Sequence, residues 1–194
     1  MDDQKPLPVL RGRSVFLRPP ERDDIERFVR WFSDADMLSF IGMRAPISRA
    51  MEERWFDHML ETQGKDAYHF VICLREDSRP IGTIGYFDIS LLNGSAEVGI
   101  SIGEKSMWGK GLGTDAMEAL VDFGFGELRL ERIRLRVYAY NTRARRSYEK
   151  VGFALEGTER RATFRRGEYH DDHIMSMLRD EWQAQKRPRS WDLP

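Results

Sequence analysis

Cysteines and long apolar runs are scarce in this chain of 194 residues. Its one cysteine, Cys73, excludes a disulfide within the chain and a cysteine-based metal cluster. It stands in the apolar stretch FVICL, residues 70–74, which predicts a buried strand. Because no run of about 18 apolar residues is present, we expect no membrane-spanning segment and no membrane partner. Residues 1–8 are polar and contain proline, unlike a secretion signal, so we expect a cytoplasmic protein.

The chain also lacks an excess of charge of one sign. Its 31 basic and 32 acidic residues give a formal net charge of −1, whereas a general nucleic-acid binder is basic, so we expect no nucleic-acid partner. The length and the apolar content of 41% favour one globular domain. We place this domain at residues 10–182, between a flexible arm at 1–9 and a tail at 183–194. The oligomeric state, monomer or homodimer, stays open.

A glycine-rich turn, WGKGLGT, is the most informative local pattern. An alternating strand over residues 97–102 precedes it, and a helix with apolar periodicity over residues 115–125 follows it. The first amides of a helix lack partners within the helix, and the helix dipole adds positive charge there. The bare main chain of this turn therefore predicts an anion site, most naturally for a phosphate or diphosphate. The turn consists of Trp108, Gly109, Lys110, Gly111, Leu112, Gly113 and Thr114.

Two common phosphate-binding motifs do not match this turn. In a P-loop, Gly-Lys is followed by Ser or Thr, but Gly111 follows Lys110 here, and Glu104 stands in place of the first glycine. A dinucleotide fingerprint needs a third glycine where this chain has Thr114. A left-handed glycine turn without any ligand is the remaining alternative. The turn alone therefore does not identify a ligand.

A second pattern, NTRARRSYEKVGF, covers residues 141–153. It follows a strand of period two whose apolar face runs from Ile133 to Ala139. Asn141 is a favourable N-cap and Gly152 a favourable C′ residue, which predicts a helix between them, over residues 142–151. Asn141 and Tyr148 lie seven residues apart, so they share a helix face about 10 Å apart along the axis, where both can line one groove.

The order of strand, glycine turn, helix and strand, followed by Asn-x-x-Ala-x-x-x-Tyr-Glu-Lys-x-Gly-Phe, resembles the GNAT superfamily of acetyl-CoA-dependent N-acetyltransferases. The opening LRGRSVFLRP of residues 10–19 and the closing GEYHD of residues 167–171, with residues 175–178, are similar to its RimJ/RimL branch, which acetylates protein N-terminal amines. The resemblance covers about residues 10–182. The wider superfamily often has Gln or Arg at the place of Trp108, whereas this branch commonly carries Trp before the glycine.

The resemblance implies an α+β fold of the GNAT type, with a mixed central sheet of about seven strands flanked by about four helices. Parallel strands 4 and 5, here residues 97–102 and the strand that begins at Ile133, would splay apart. The pantetheine arm of coenzyme A would lie in this gap, since strand amides without ladder partners must pair with something else. We also predict helices at residues 23–32 and 48–62, and an irregular segment at 34–46 that in this fold lies over the acceptor site.

The resemblance also implies roles for the residues around the gap. Glu97 is the expected general base for the acceptor amine, and Tyr148 the expected acid for the leaving thiolate, because a phenol is protonated at neutral pH. Asn141 is expected either to contact the cofactor or only to cap its helix. A strand amide near Ile100 or Ile102 is expected to stabilise the carbonyl oxygen. The expected cofactor-binding set contains Ile100, Ser101, Ile102, the seven residues of the glycine turn, Asn141, Arg143, Arg146 and Tyr148.

The sequence leaves the identity of the acceptor amine open. The branch favours a protein N-terminal amine, and a polyamine, an amino acid or an antibiotic is the alternative. His170 and His173 do not indicate a metal site, because catalytic zinc needs three protein ligands, so acetyl-CoA is the one expected cofactor. A non-catalytic acetyl-CoA sensor and a nucleotide-phosphate enzyme are the competing classes. The expected acceptor pocket contains Met37, Phe40, Tyr169, His170 and Asp171.

Overall fold

The computed structural model describes residues 10–194 and contains one mixed sheet. Its strands are β1 (Leu10–Arg11), β2 (Val15–Arg18), β3 (Tyr68–Leu74), β4 (Pro80–Ser90), β5 (Ser95–Ile102), β6 (Arg132–Tyr138), β7 (Ala154–Arg165) and β8 (Glu168–Leu178). The strand order in space is β1-β2-β3-β4-β5-β6-β8-β7. Neighbouring strands are antiparallel, except for the parallel pair of β5 and β6. The arm predicted at residues 1–9 lies outside the described residues.

Helices cover this sheet within residues 10–194. They are α1 (Ile25–Phe32), α2 (Ala35–Leu38), α3 (Arg49–Thr62), α4 (Leu112–Gly126), α5 (Thr142–Val151) and α6 (Arg179–Ala184). The counts exceed the expected seven strands and four helices because β1 has only two residues and α2 and α6 are short, which leaves little periodic signal. None of the described helices is both long and apolar enough to cross a bilayer.

The alternation along β2 shows how both faces of the sheet are covered. Val15 and Leu17 are buried in the main core, which α4, α5 and α6 close from one side. Phe16 points to the opposite side and packs with Phe28 and Trp31 of α1. Burial of one large apolar side chain contributes on the order of 1.5–3 kcal/mol, so apolar packing is the main force that holds both helical layers to the sheet.

The parallel pair is joined only at one end. Ser95–Glu97 pair with Arg132–Arg134, and the register ends there. Beyond this point β5 continues to Ile102 beside β4, and β6 continues to Tyr138 beside β8. The two strands therefore diverge, as predicted, and leave strand amides without ladder partners in the gap between them.

The C-terminal segment packs against α4. Asp122 is 1% exposed and accepts hydrogen bonds from Trp182 Nε1 at 2.8 Å, Arg187 Nη2 at 2.7 Å and the Ser190 N–H at 2.7 Å. A buried carboxylate requires such donors, and these come from both sides of the predicted boundary at residue 182. Part of the segment that we expected to be a tail is therefore held against the domain.

Candidate active site

A cleft of about 1020 Å³ opens where β5 and β6 diverge. Leu112 and Tyr148 line it from the layer of α4 and α5, whereas Phe28 and Glu52 line it from the layer of α1 and α3. The cleft is therefore bounded by both helical layers of the sheet. We call the part formed by the glycine turn and α5 the turn half, and the part between α2, α3 and β4 the α3 half.

The glycine turn exposes its main chain to the cleft. Gly109 and Gly111 have left-handed backbones, with φ of +76° and +79°. A Cβ atom on either glycine would meet no atom within 4 Å, whereas a Cβ on Gly113 would contact Ile102 at an ordinary 3.6 Å. A residue other than glycine in a left-handed conformation costs roughly 1–2 kcal/mol. The backbone therefore favours glycine at the first two positions, and open space lies in front of them.

Helix α4 begins at Leu112, earlier than the predicted start at Asp115. Gly111 is its N-cap, and the Gly111 carbonyl accepts a hydrogen bond from the Asp115 N–H at 3.0 Å. The buried Asp115 carboxylate accepts N–H groups of another segment instead, among them that of Ser14 at 2.7 Å. The amides of residues 112–114 have no partners within the helix, which is the arrangement that binds anions.

Trp108 connects the turn to its surroundings. Its Nε1 donates to the Ile102 carbonyl at 2.7 Å, the Arg143 guanidinium lies 4.0 Å from its ring centroid, and Phe40 meets it edge-on at 6.0 Å. Lys110 differs from the other six turn residues, because it does not line the cleft. The structure therefore places every turn residue except Lys110 on the cleft wall.

Two arginines of α5 are available to an anionic ligand. Arg143 and Arg146 are exposed on the cleft wall, and neither forms an ion pair with an acidic side chain of the described residues. Their neighbour Arg145 is paired with Glu149 at 2.9 Å. These two side chains are therefore placed to meet a phosphate.

Helix α5 has the predicted bounds and the predicted ends. The Asn141 Oδ1 accepts a hydrogen bond from the Ala144 N–H at 3.2 Å, and Gly152 has a left-handed φ of +113°. The hydroxyls of Thr114 and Ser147, 2.7 Å apart, connect α4 to α5. The contact that Asn141 makes is the helix cap, and its contact with a cofactor stays a prediction.

Tyr148 lines the cleft from α5 and packs edge-on against Phe153, with ring centroids 6.3 Å apart. Burial raises the pKa of Tyr148 to about 12, because the phenolate would lose its hydration. The side chain is therefore protonated at neutral pH and can donate a proton.

Glu97 lies at the last parallel pair before the gap. Its Oε2 is 3.3 Å from Arg134 Nη2, and 34% of the side chain is exposed. Alternation along β5 puts Gly99 and Ser101 on the same face, and all three line the cleft. The predicted residues Ile100 and Ile102 also line it, and they pack against the main core.

The segment predicted as irregular, residues 34–46, contains α2 and carries two of the predicted pocket residues. The Asp34 carboxylate caps α2 by accepting from the Asp36 and Met37 N–H groups. Met37 is buried, and Met37 and Phe40 both line the cleft. Hydrogen bonds from outside hold the segment, since Tyr140 Oη donates to the Ser39 carbonyl at 2.6 Å and Arg165 Nη2 to the Met43 carbonyl at 2.8 Å.

The other three predicted pocket residues do not line the cleft. Tyr169 is 64% exposed and packs on Phe164, with ring centroids 5.0 Å apart. His170 packs on Tyr140 at 4.9 Å, and the Asp171 Oδ1 accepts from the Arg161 N–H at 2.8 Å. All three lie on the β7–β8 hairpin outside the lining of the cleft, so a role for Tyr169, His170 and Asp171 in the acceptor pocket stays a prediction.

Comparison with known proteins agrees with this arrangement. The family model of the Acetyltransferase (GNAT) domain matches residues 14–154, which is more than half of the chain. The chain belongs to the GNAT acetyltransferase family. It is therefore an acetyl-CoA-dependent N-acetyltransferase with the GNAT fold.

Similarity to individual GNAT proteins extends over nearly the whole chain. The chain is 30% identical over 178 residues to an uncharacterized N-acetyltransferase, p20, of Bacillus licheniformis, covering 91% of this chain and 99% of that protein. It is 28% identical over 177 residues to spermidine N(1)-acetyltransferase of Escherichia coli strain K12, covering 91% and 92%. The crystal structure of spermidine N-acetyltransferase from Vibrio cholerae in complex with CoA and spermine matches with a TM-score of 0.81 at 25% identity, covering 88% and 98%.

Glu52 is a residue of this GNAT cleft that the sequence did not single out. It lies in the first turn of α3, where the helix dipole favours an acid, and it is 4% exposed and lines the cleft. Burial raises the pKa of Glu52 to about 7. A signal exists in its spacing, because Glu52, Phe56 and Met59 form the buried stripe of α3 at i, i+4 and i+7.

Three aromatic side chains of the α3 half were also missed, and we call them the aromatic row. Trp55 of α3 meets His69 of β3 edge-on at 5.3 Å, and His69 meets Phe87 of β4 at 5.2 Å. Phe87 is the register partner of Glu97. Burial lowers the pKa of His69 to about 4, so its ring is neutral at pH 7. The row is therefore an uncharged wall that leads from α3 to Glu97.

Proposed function

We propose that this GNAT enzyme acetylates a primary amine carried on a small alkyl chain, which enters the α3 half of the cleft. One observation carries the proposal: a single cleft joins the bare glycine turn, the gap between β5 and β6, Tyr148 and Glu97. The wall of the α3 half is apolar and aromatic, with carboxylates at Glu97 and Glu52, which suits a cationic amine with an alkyl body. The names of the two spermidine acetyltransferases among the relatives support a small amine.

The backbone of the glycine turn supports coenzyme A as the ligand of the turn half. Open space in front of Gly109 and Gly111 and the amides of residues 112–114 form a cradle for a diphosphate. Arg143 and Arg146 at its edge would meet the 3′-phosphate. When bound there, acetyl-CoA supplies the acetyl thioester.

The residues at the gap would then divide the proton transfers between them. Glu97 accepts one proton from the acceptor ammonium, which frees the nitrogen lone pair to form the new C–N bond. A strand amide near Ile100 or Ile102 stabilises the carbonyl oxygen as charge builds on it. As the C–S bond breaks, Tyr148 gives its proton to the departing sulfur, and the second proton lost by the nitrogen restores the phenol. The products are the acetylated amine and free coenzyme A.

A protein N-terminal amine is the second candidate acceptor. It is favoured by the similarity of residues 10–19 and 167–171 to the RimJ/RimL branch. The two candidates differ in what must fit beyond the amine, since a peptide brings amide groups that need hydrogen-bond partners, whereas an alkyl chain needs an apolar wall.

An acceptor screen tests the proposal. The protein is mixed with acetyl-CoA and either alkyl amines or peptides with free N-termini, with free thiol and product mass as readouts. We expect thiol release with alkyl amines, and protection against thermal unfolding by coenzyme A but not by ATP or NAD. Turnover of peptides alone would favour the N-terminal branch. Coenzyme binding without turnover of any amine would favour a sensor and refute the enzymatic proposal.

A further inference from the structure

We propose that Glu52 forms a second cation subsite in the α3 half, which binds an amino group of the acceptor other than the one acetylated. The inference rests on the proposed function, because it assigns the acceptor to a chemical class: alkyl chains with two protonated amino groups. Glu97 lies beside the reacting amine in this assignment, and Glu52 meets the second ammonium.

The first argument is that Glu52 lacks the partners that the buried acids Asp24 and Asp122 have. Its Oε1 is buried, and no group within residues 10–194 donates a hydrogen bond to it. By contrast, Asp24 is held by both Arg18 Nη atoms at 2.7 Å, and Asp122 is held by Trp182 and Arg187. A carboxylate without a partner in such a place is costly, so an isolated one on a cleft wall indicates that a ligand supplies the donor.

The second argument is the wall beside it. The aromatic row extends from Trp55, three residues after Glu52, to Phe87, which pairs in register with Glu97. Its rings are neutral and offer apolar contact to methylene groups and π faces to a cation. Glu52 and Glu97 therefore line the same cleft, and the uncharged aromatic row connects the elements that carry them.

The third argument is electrostatic. Burial of Glu52 disfavours the carboxylate, and an ammonium placed against it restores the charged form. An acceptor with an apolar group at this point would leave the Glu52 carboxylate unpaired. An acceptor with an anionic group there would be repelled by the carboxylate. The subsite therefore selects acceptors by charge at a distance from the reacting nitrogen.

The test compares an alkyl diamine with an alkyl monoamine of the same chain length. We expect wild-type kcat/KM to favour the diamine by about tenfold or more, as for a hydrogen bond to a charged group. In E52Q this preference should be lost mainly through a higher KM for the diamine. E53Q is the matched control, because Glu53 is adjacent in sequence, pairs with Arg49 at 2.8 Å and does not line the cleft.

The outcomes of these experiments distinguish failure of the subsite from failure of the proposed acetyltransferase function. An E52Q enzyme that keeps the wild-type diamine preference would overturn the subsite while leaving the acetyltransferase intact. If wild type releases no thiol with any amine, the proposed function fails. In that case, thermal shifts with diamine in the presence of coenzyme A still decide the subsite. Stabilisation of wild type but not of E52Q would support it, and equal shifts would refute it.

Discussion

Replacement of Glu52 by Gln should change how the stability of this protein depends on pH. Glu52 is 4% exposed, and burial raises its pKa from the ordinary 4.5 to about 7. Gln has nearly the same shape and volume but does not ionise. Any cost of burying its amide is independent of pH, so the pH-dependent part of the difference between the two proteins reports the carboxyl group alone.

The sign and the size follow from proton binding. Between pH 4.5 and about pH 7 the folded protein keeps the Glu52 proton that the unfolded chain has already lost, so stability falls as pH rises through this interval. The free-energy cost of ionising Glu52 in the folded protein is absent well below pH 4.5 and complete well above about pH 7. Each pKa unit corresponds to about 1.4 kcal/mol, so ionisation of Glu52 costs the folded state about 3 kcal/mol.

Urea unfolding of wild type and E52Q, from about pH 4.5 to about pH 8, measures this effect. The free energy of unfolding of E52Q minus that of wild type should rise by about 3 kcal/mol across the series. E53Q should follow wild type, since the Glu53 side chain is 43% exposed. Parallel curves for wild type and E52Q would show that Glu52 titrates normally and would refute the reasoning.

Three further predictions concern the remaining parts of the site and fold. Tyr148→Phe should lower turnover by about 10²–10⁴ with little change in coenzyme affinity; steady-state thiol release and calorimetry check this, and equal turnover would remove Tyr148 from the mechanism. Gly111→Ala should weaken coenzyme binding by about tenfold, because φ of +79° strains an L-residue and its methyl group enters the cradle. Gly113→Ala, with a contact of 3.6 Å, is its control, and equal affinities of the two variants would count against the phosphate cradle. Asp122→Ala should lower the free energy of unfolding by about 3 kcal/mol, because Arg187 loses a buried partner; an unchanged midpoint would show that the C-terminal segment adds no stability.

Local chemistry made the turn and α5 predictable. Asn141 and Gly152 mark the ends of α5 because an N-cap acceptor and a left-handed glycine are properties of single residues. The period of two in β6 is equally local, and Ile133 and Leu135 are buried as expected. The start of α4 was missed because Gly111, rather than a polar side chain, caps it.

The acceptor side was less predictable, because its residues come from distant parts of the chain. Tyr169 and His170 were expected in the pocket, but both lie on the β7–β8 hairpin and do not line the cleft. The same hairpin contributes to the acceptor side through Arg165 instead. Its guanidinium donates a hydrogen bond to the carbonyl of Met43, which lies 122 positions earlier in the chain. No local pattern encodes such a contact.

By itself, the sequence determined the family, the strand–turn–helix that faces the coenzyme, and the tyrosine on the next helix. Each of these depends on glycine conformation, capping or periodicity among neighbouring residues, so a short window contains the information. Only the tertiary structure decided that an acid of α3 and three aromatic rings share a cleft with Glu97. Burial and its effect on a carboxylate arise from atoms of several elements, and those atoms meet only when the sheet has formed.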